Sequence, residues 1–320
     1  MKYWFIFFVF MFFSCLSEEK KNDDTTVSQD EISLGVSLIV LGTIQDAGSP
    51  HIGCNKDCCK ELFTQPDNTR KVVSLGVVDF EANKTFLFEA TPNITSQVKH
   101  LHQFAKSEKQ LPDGIFLTHA HMGHYSGLMY LGKEAINANE VNVFAMPRMK
   151  QFLEQHGPWN QLVTLKNITL QPIFAGQEIV LTPQLNVIPF LIPHRDEYSE
   201  TVGYSIEGPS KKVLFIPDID KWEKWETSII DAISKVDYAF IDATFYDGVE
   251  INNRDISEIP HPFIIESMVL FKELPHSEKQ KIHFIHFNHT NPVLHKQSEA
   301  YKRVIENGFQ IAEMGQRINL

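Results

Sequence analysis

The chain has 320 residues, 43% of them hydrophobic and 22% charged, an ordinary globular composition that is long enough for one large domain with a substantial core. Its formal charge is −11. With no Lys/Arg-dense stripe, such a chain is excluded as a general nucleic-acid binder, because neutralising phosphates needs clustered cations.

In chain order, Met1-Lys2 precedes the apolar run YWFIFFVFMFFS and then Cys15. A charged start, about a dozen apolar residues and a small residue before cysteine predict a signal peptide over 1–14. The run falls short of the ~20 residues that a spanning helix needs. The Ser14-Cys15 junction resembles a bacterial lipobox, which implies that Cys15 becomes a lipidated N-terminus and the membrane a partner. An ordinary signal peptide with an incidental cysteine is the alternative. Residues 16–31, LSEEKKNDDTTVSQDE, are polar and aperiodic and predict a disordered tether. Residues 32–320 then form the folded domain of an exported, lipid-anchored protein of the cell envelope.

Buried strands are expected at 37–43, 85–91, 113–119, 142–147, 212–218, 237–245 and 281–287, each a short β-branched or aromatic run. Helical patterns at 93–108, 147–157 and 260–274 lie between them, the last with proline near its first turn. Strands alternating with helices predict an α/β fold.

The chemistry concentrates in IFLTHAHMGHYSGL, residues 115–128, where His119, His121 and His124 follow an apolar strand. In extended backbone, positions i and i+2 face the same side, so His119 and His121 can converge on one ion while His124 faces a second position. Imidazole is the usual ligand of zinc and related divalent ions. Further strand ends supply His194, Asp218 with Asp220 just beyond, Asp242, and His286 with His289. That is what a metal site at the rim of a sheet requires.

THAHMGH resembles the H-x-H-x-D-H motif of the metallo-β-lactamase superfamily, and the later order of histidine, aspartate and histidine matches as well. VLGTIQDAGSPHIGCNKDCC (40–59) and HFNHTNP (286–292) are most similar to the branch containing pyrroloquinoline quinone biosynthesis protein B. The cyclic phosphodiesterase of phosphonate metabolism is a second relative by pattern. The resemblance implies a four-layer αββα sandwich of two mixed β-sheets flanked by helices. It places His119, His121 and His194 on one metal and His124 and His286 on a second, with Asp218 bridging. It makes Asp218, His286 and Asp242 the candidate catalytic residues, Asp242 by fixing a ligand's tautomer. Where the motif has aspartate, this chain has Gly123. That departure implies weak occupancy of the second position, relieved by Gly123→Asp unless Asp220, His289 or Asp242 compensates.

Cys54, Cys58 and Cys59 form a further group, with His51 as an available fourth ligand for a structural metal. A Cys54–Cys58 or Cys54–Cys59 disulfide and free thiols are the alternatives. Arg195, Glu197, Ser199, Thr201 and His289 are candidates to contact substrate, since RDEYSET follows His194 directly.

The function expected is hydrolysis of a small ester, lactone, amide or phosphodiester by metal-bound hydroxide, with one or two zinc ions, or iron or manganese instead. The alternatives are iron-dependent oxidative modification of a peptide or amino-acid precursor, as the branch resemblance implies, and a metal-binding lipoprotein without catalysis.

Overall fold

A computed structural model describes residues 1–2, 35–105, 107–252 and 254–320. Apart from Met1 and Lys2, the expected signal peptide, the Cys15 anchor and the tether lie outside these described residues. Among them, no helix is long and apolar enough to cross a membrane.

The chain runs through β1 (Val36–Gly42), β2 (Ser74–Asp79), β3 (Lys84–Phe88), β4 (Gly114–Phe116), β5 (Val141–Ala145) and β6 (Ile168–Pro172). There follow β7 (Ile179–Thr182), β8 (Leu185–Leu191), β9 (Val202–Glu207), β10 (Lys212–Ile216), β11 (Tyr238–Asp242), β12 (Ile282–Ile285), β13 (Gln310–Ile311) and β14 (Arg317–Asn319). They build two seven-stranded sheets, ordered β14-β1-β2-β3-β4-β5-β6 and β13-β12-β11-β10-β9-β8-β7. Each sheet is mixed. The first changes from antiparallel to parallel at β3, and the second does so at β10.

Side-chain alternation explains the layering. In β1, Val36, Leu38 and Val40 enter the core between the sheets, whereas Ile39 and Leu41 pack outward. Phe88 sits in the inter-sheet core, stacked on Phe116 at 4.8 Å and edge-on to Tyr204 at 5.4 Å. On the outer face of the first sheet lie α1 (Ile94–Ala105), α2 (Met122–Tyr125), α3 (Pro147–Gln155) and α4 (Trp159–Thr164). Ile94, Val98 and Leu101 of α1 repeat at helical spacing and join that outer core. The second sheet is covered by α5 (Ile229–Ile233), α6 (Ile264–Leu270) and α8 (Glu299–Glu306), which follows α7 (His276–Lys279). Four layers in the order αββα result, as the resemblance implies.

All seven expected strands are present, with differences at their ends. The strand before the histidine motif stops at Phe116, so Thr118 and His119 belong to a loop. The helix expected over 260–274 is confined to Ile264–Leu270, because Pro260 and Pro262 disfavour helical backbone in the residues before them. Their segment instead crosses the end of the second sheet and carries His261.

Phe88→Ala should remove the centre of the inter-sheet aromatic cluster and cost about 3–5 kcal/mol. Urea unfolding followed by far-UV circular dichroism measures the loss.

Candidate metal centre

The carboxyl ends of the parallel strands meet at one rim. Glu89 follows β3, His119 and His121 follow β4, and His124 lies in α2. From the second sheet, His194 follows β8, Asp218 follows β10, Asp242 ends β11 and His286 follows β12. Glu89 and His286 adopt left-handed backbone, at φ 78° and 69°. For non-glycine residues this costs on the order of 1–3 kcal/mol, a cost concentrated at functional sites.

Donor atoms of His119, His121, His194 and Asp218 lie within 4.8 Å of one another, as do those of Asp46, His124 and His286. Asp218 stands between the two groups. Its Oδ2 is 3.4 Å from His119 Nε2, 3.9 Å from His121 Nδ1 and 3.7 Å from His124 Nε2, and its Oδ1 is 3.2 Å from His194 Nε2.

One nitrogen of each of several rings is already committed. The pairs are His119 Nδ1 with Thr118 Oγ1 (2.8 Å), His124 Nδ1 with Glu89 Oε2 (3.2 Å) and His121 Nε2 with Glu197 Oε2 (3.2 Å). His286 Nδ1 meets Thr244 Oγ1 at 2.9 Å, and that hydroxyl donates to Asp242 Oδ1 at 2.7 Å. The opposite nitrogens, Nε2 of His119, His124 and His286, are buried without a hydrogen-bond partner, as are both ring nitrogens of His194 and Asp218 Oδ1. Each such atom costs about 1–3 kcal/mol when nothing binds it. Imidazoles fixed through one nitrogen and bare at the other, grouped around a carboxylate, fit a divalent ion or a pair of them.

The electrostatics agree. Burial and the neighbouring His124 hold His119 well below the usual histidine range. Burial opposes a charge on His124, but Glu89, Asp46 and Asp218 overcome it and hold its pKa at about 9. Burial would raise Asp218, yet His194 and His261 bring it well below the carboxylate range. Buried carboxylates and imidazoles here compensate one another's charge in the way a cation would.

Four residues missed in the sequence join the rim. Glu89 also accepts from Thr118 N at 3.1 Å, and Thr244 links His286 to Asp242. His261 Nδ1 lies 2.9 Å from Asp242 Oδ2 and 3.2 Å from Asp218 Oδ1. Asp46 comes from the loop after β1. It corrects the expectation for Gly123: a Cβ at that position would lie 1.9 Å from Asp46 Cβ and 2.5 Å from its Cα, so Gly123→Asp has no room. Asp220 does not compensate, since it is engaged by Lys221 N at 2.7 Å and Lys224 Nζ at 2.8 Å.

The expected substrate residues divide. Arg195 and Glu197 are exposed beside His194. Ser199 and Thr201 are buried. Ser199 Oγ accepts from Ala120 N at 2.8 Å, and Thr201 donates to Asp196 at 2.7 Å, so they hold the loops and do not face substrate.

His289 moves to the cysteine group. Cys54, Cys58, Cys59 and His289 bring their donor atoms within 4.8 Å of one another. His51 instead stacks its ring on His289 at 4.4 Å and donates its backbone N–H to Cys59 Sγ at 3.3 Å. Cys54 and Cys58 sulfurs are 3.8 Å apart, against about 2.05 Å for a disulfide. Burial and the Cys54 thiol push Cys58 up to about 12, and burial with His51 and Lys56 lowers His289 to about 4. Three thiols and a neutral imidazole are the donor set of a closed tetrahedral site.

Comparison with known proteins agrees with this fold. A family model described as Beta-lactamase superfamily domain matches residues 84–287. The chain is 23% identical over 309 residues to coenzyme PQQ synthesis protein B of Methylococcus capsulatus, covering 88% of this chain and 99% of that one. The protein of the same name from Klebsiella pneumoniae is 24% identical over 309 residues, covering 88% and 97%. Among solved structures, Zn(2+)-bound PqqB from Methylobacterium extorquens is similar with a TM-score of 0.72, 20% identity and coverage of 89% and 100%. A diphosphatase from the PhnP family has a TM-score of 0.64, 20% identity and coverage of 89% and 97%.

His289→Ala should lose an ion held by the cysteine group and lower the melting temperature, whereas His51→Ala should keep the ion. Metal analysis after dialysis against a weak chelator separates the two.

Proposed function

The chain belongs to the metallo-β-lactamase superfamily, and from the orphaned histidine nitrogens gathered around Asp218 we propose that it is a metal-dependent hydrolase. In this reading His119, His121 and His194 hold one ion, His124 and His286 a second, and Asp218 serves both. Zinc suits imidazole and carboxylate donors. When bound, a divalent ion supplies Lewis acidity, lowering the pKa of water to about 7 and polarising the bond under attack.

The chain's own residues do the rest. Glu89, Thr118, Glu197 and the Thr244–Asp242 pair fix the ring orientations, so the bare nitrogens are in place before substrate arrives. His261 is the candidate proton carrier. Burial disfavours its charge, but Asp242 and Asp218 favour its protonated form, and with its Nδ1 held 2.9 Å from Asp242 Oδ2 the ring is the group that would supply a proton to a leaving group. Arg195, exposed beside His194, is placed to orient a polar or anionic substrate. Esters, lactones, amides and phosphodiesters all suit this arrangement.

A second reading has a specific observation behind it. The curated relatives are named for coenzyme PQQ synthesis and are matched over 97–99% of their lengths, which favours the branch resemblance and the oxidative modification of a precursor, with iron in place of zinc, that it implies. We also propose that the protein is exported with Cys15 as a lipidated N-terminus, which rests on the Ser14-Cys15 junction and argues against this second reading. Wild-type protein should then sediment with membranes and Cys15→Ala protein should not. Wild-type protein recovered wholly in the soluble fraction of lysed cells refutes the anchor.

Turnover of bis(p-nitrophenyl) phosphate or p-nitrophenyl acetate by the zinc- or manganese-loaded protein tests the hydrolase. His194→Ala should abolish it. His261→Ala should lower it by about 100- to 10,000-fold with bound metal retained. Iron-dependent oxygen consumption without ester or phosphodiester turnover would establish the second reading instead.

A further inference from the structure

In the H-x-H-x-D-H pattern that this chain resembles, the carboxylate stands beside the third histidine. Here that position is Gly123, yet the rim is not short of a carboxylate. We propose that Asp46, on the loop after β1, is the transplanted ligand of the second metal position, and that Gly123 is glycine because Asp46 occupies its side-chain space. This rests on the reading above that the rim holds metal.

Three observations carry it. First, a carboxylate oxygen of Asp46 and a ring nitrogen each of His124 and His286 lie within 4.8 Å of one another. The buried Nε2 atoms of both histidines have no other partner. Second, the loop of Asp46 fills the space that a side chain at residue 123 would need. A Cβ on residue 123 would meet Asp46 Cβ at 1.9 Å, Cα at 2.5 Å and backbone O at 2.9 Å. Gly123 lies in α2 and is not among the glycines at positive φ, so room for Asp46, not backbone conformation, explains the glycine. Third, the loop is held where a ligand must be. Ile44 N donates to Lys71 O at 2.9 Å and Gln45 N to Phe287 O at 2.8 Å, while Phe287 N donates to Thr43 O at 2.8 Å. Asp46 is thereby tied to the residue after His286.

The chemistry explains why the carboxylate cannot simply be absent. With two neutral imidazoles and a share of Asp218, the second position lacks the hard anionic donor that neutralises a divalent ion. Asp46 restores it from outside the motif. The transplant also moves control of that position to a loop from the start of the folded chain.

Zinc stoichiometry and affinity, measured on the full chain after dialysis against zinc-buffered solutions, provide the test. Asp46→Asn keeps the volume and should weaken the second rim ion by about 100-fold or more, since partners that merely orient a ligand are already worth 10–100-fold. Gly123→Asp should lose that ion too and lower the melting temperature. Retention of the ion by Asp46→Asn while His124→Ala loses it would overturn this proposal and leave the metal reading standing. No change in either variant would defeat the reading of a second metal position itself.

Discussion

Buried imidazole nitrogens with nothing in the protein to bind them are the constraint on which the rim depends. Nε2 of His119, His124, His194 and His286 all lie in a region closed to water and lack partners. Isolated, any one would be a destabilising flaw. Gathered around Asp218, which is itself held ionised by His194 and His261 against its burial, they become a preformed place for positive charge. The surrounding hydrogen bonds serve this end. Glu89, Thr118, Thr244 and Glu197 each bind the far nitrogen of a ring and so determine which atom stays bare. The strained backbone of Glu89 and His286 is tolerated because the sheets on either side hold both residues in place.

The architecture explains how residues so distant in sequence meet. Each sheet has an antiparallel part and a parallel part, and the parallel strands deliver their carboxyl ends to a common edge. Ligands can therefore be placed one strand end at a time, on loops whose roots are fixed by the inter-sheet aromatic core around Phe88 and Phe116. Ser199 adds a cross-brace from the second sheet to the histidine loop through Ala120 N.

Much of this was legible in the sequence, and the failures have a common cause. The central strands read clearly because both faces are buried and the runs are continuously apolar. Of β8 only the end was legible, as the apolar run before His194, since Pro189 argues against an interior strand. It is accommodated because β7 pairs with β8 only over Leu185–Val187. The three motif histidines, His194, Asp218 and His286 could be found because each ends an apolar run. His261 could not, because it lies between two prolines in what looked like the start of a helix. Asp46 sits in a turn among Gln45, Ala47 and Gly48, where aspartate is commonplace. Its significance exists only in relation to Gly123, a residue distant in sequence. His51 looked like the natural partner of the cysteines because it is near them in sequence, but the ring that reaches the thiols comes from the far end of the chain.

That last pairing has a consequence for how the fold is closed. An ion shared by Cys54, Cys58, Cys59 and His289 would join a loop at the beginning of the sandwich to the turn after β12. The cross-link encloses about 230 residues, for which the chain-entropy model gives on the order of 5 kcal/mol of stabilisation through the unfolded state. It would act as a clasp on the whole sandwich and not as a local brace. The two segments it fastens are those that carry Asp46 and His286 to the rim.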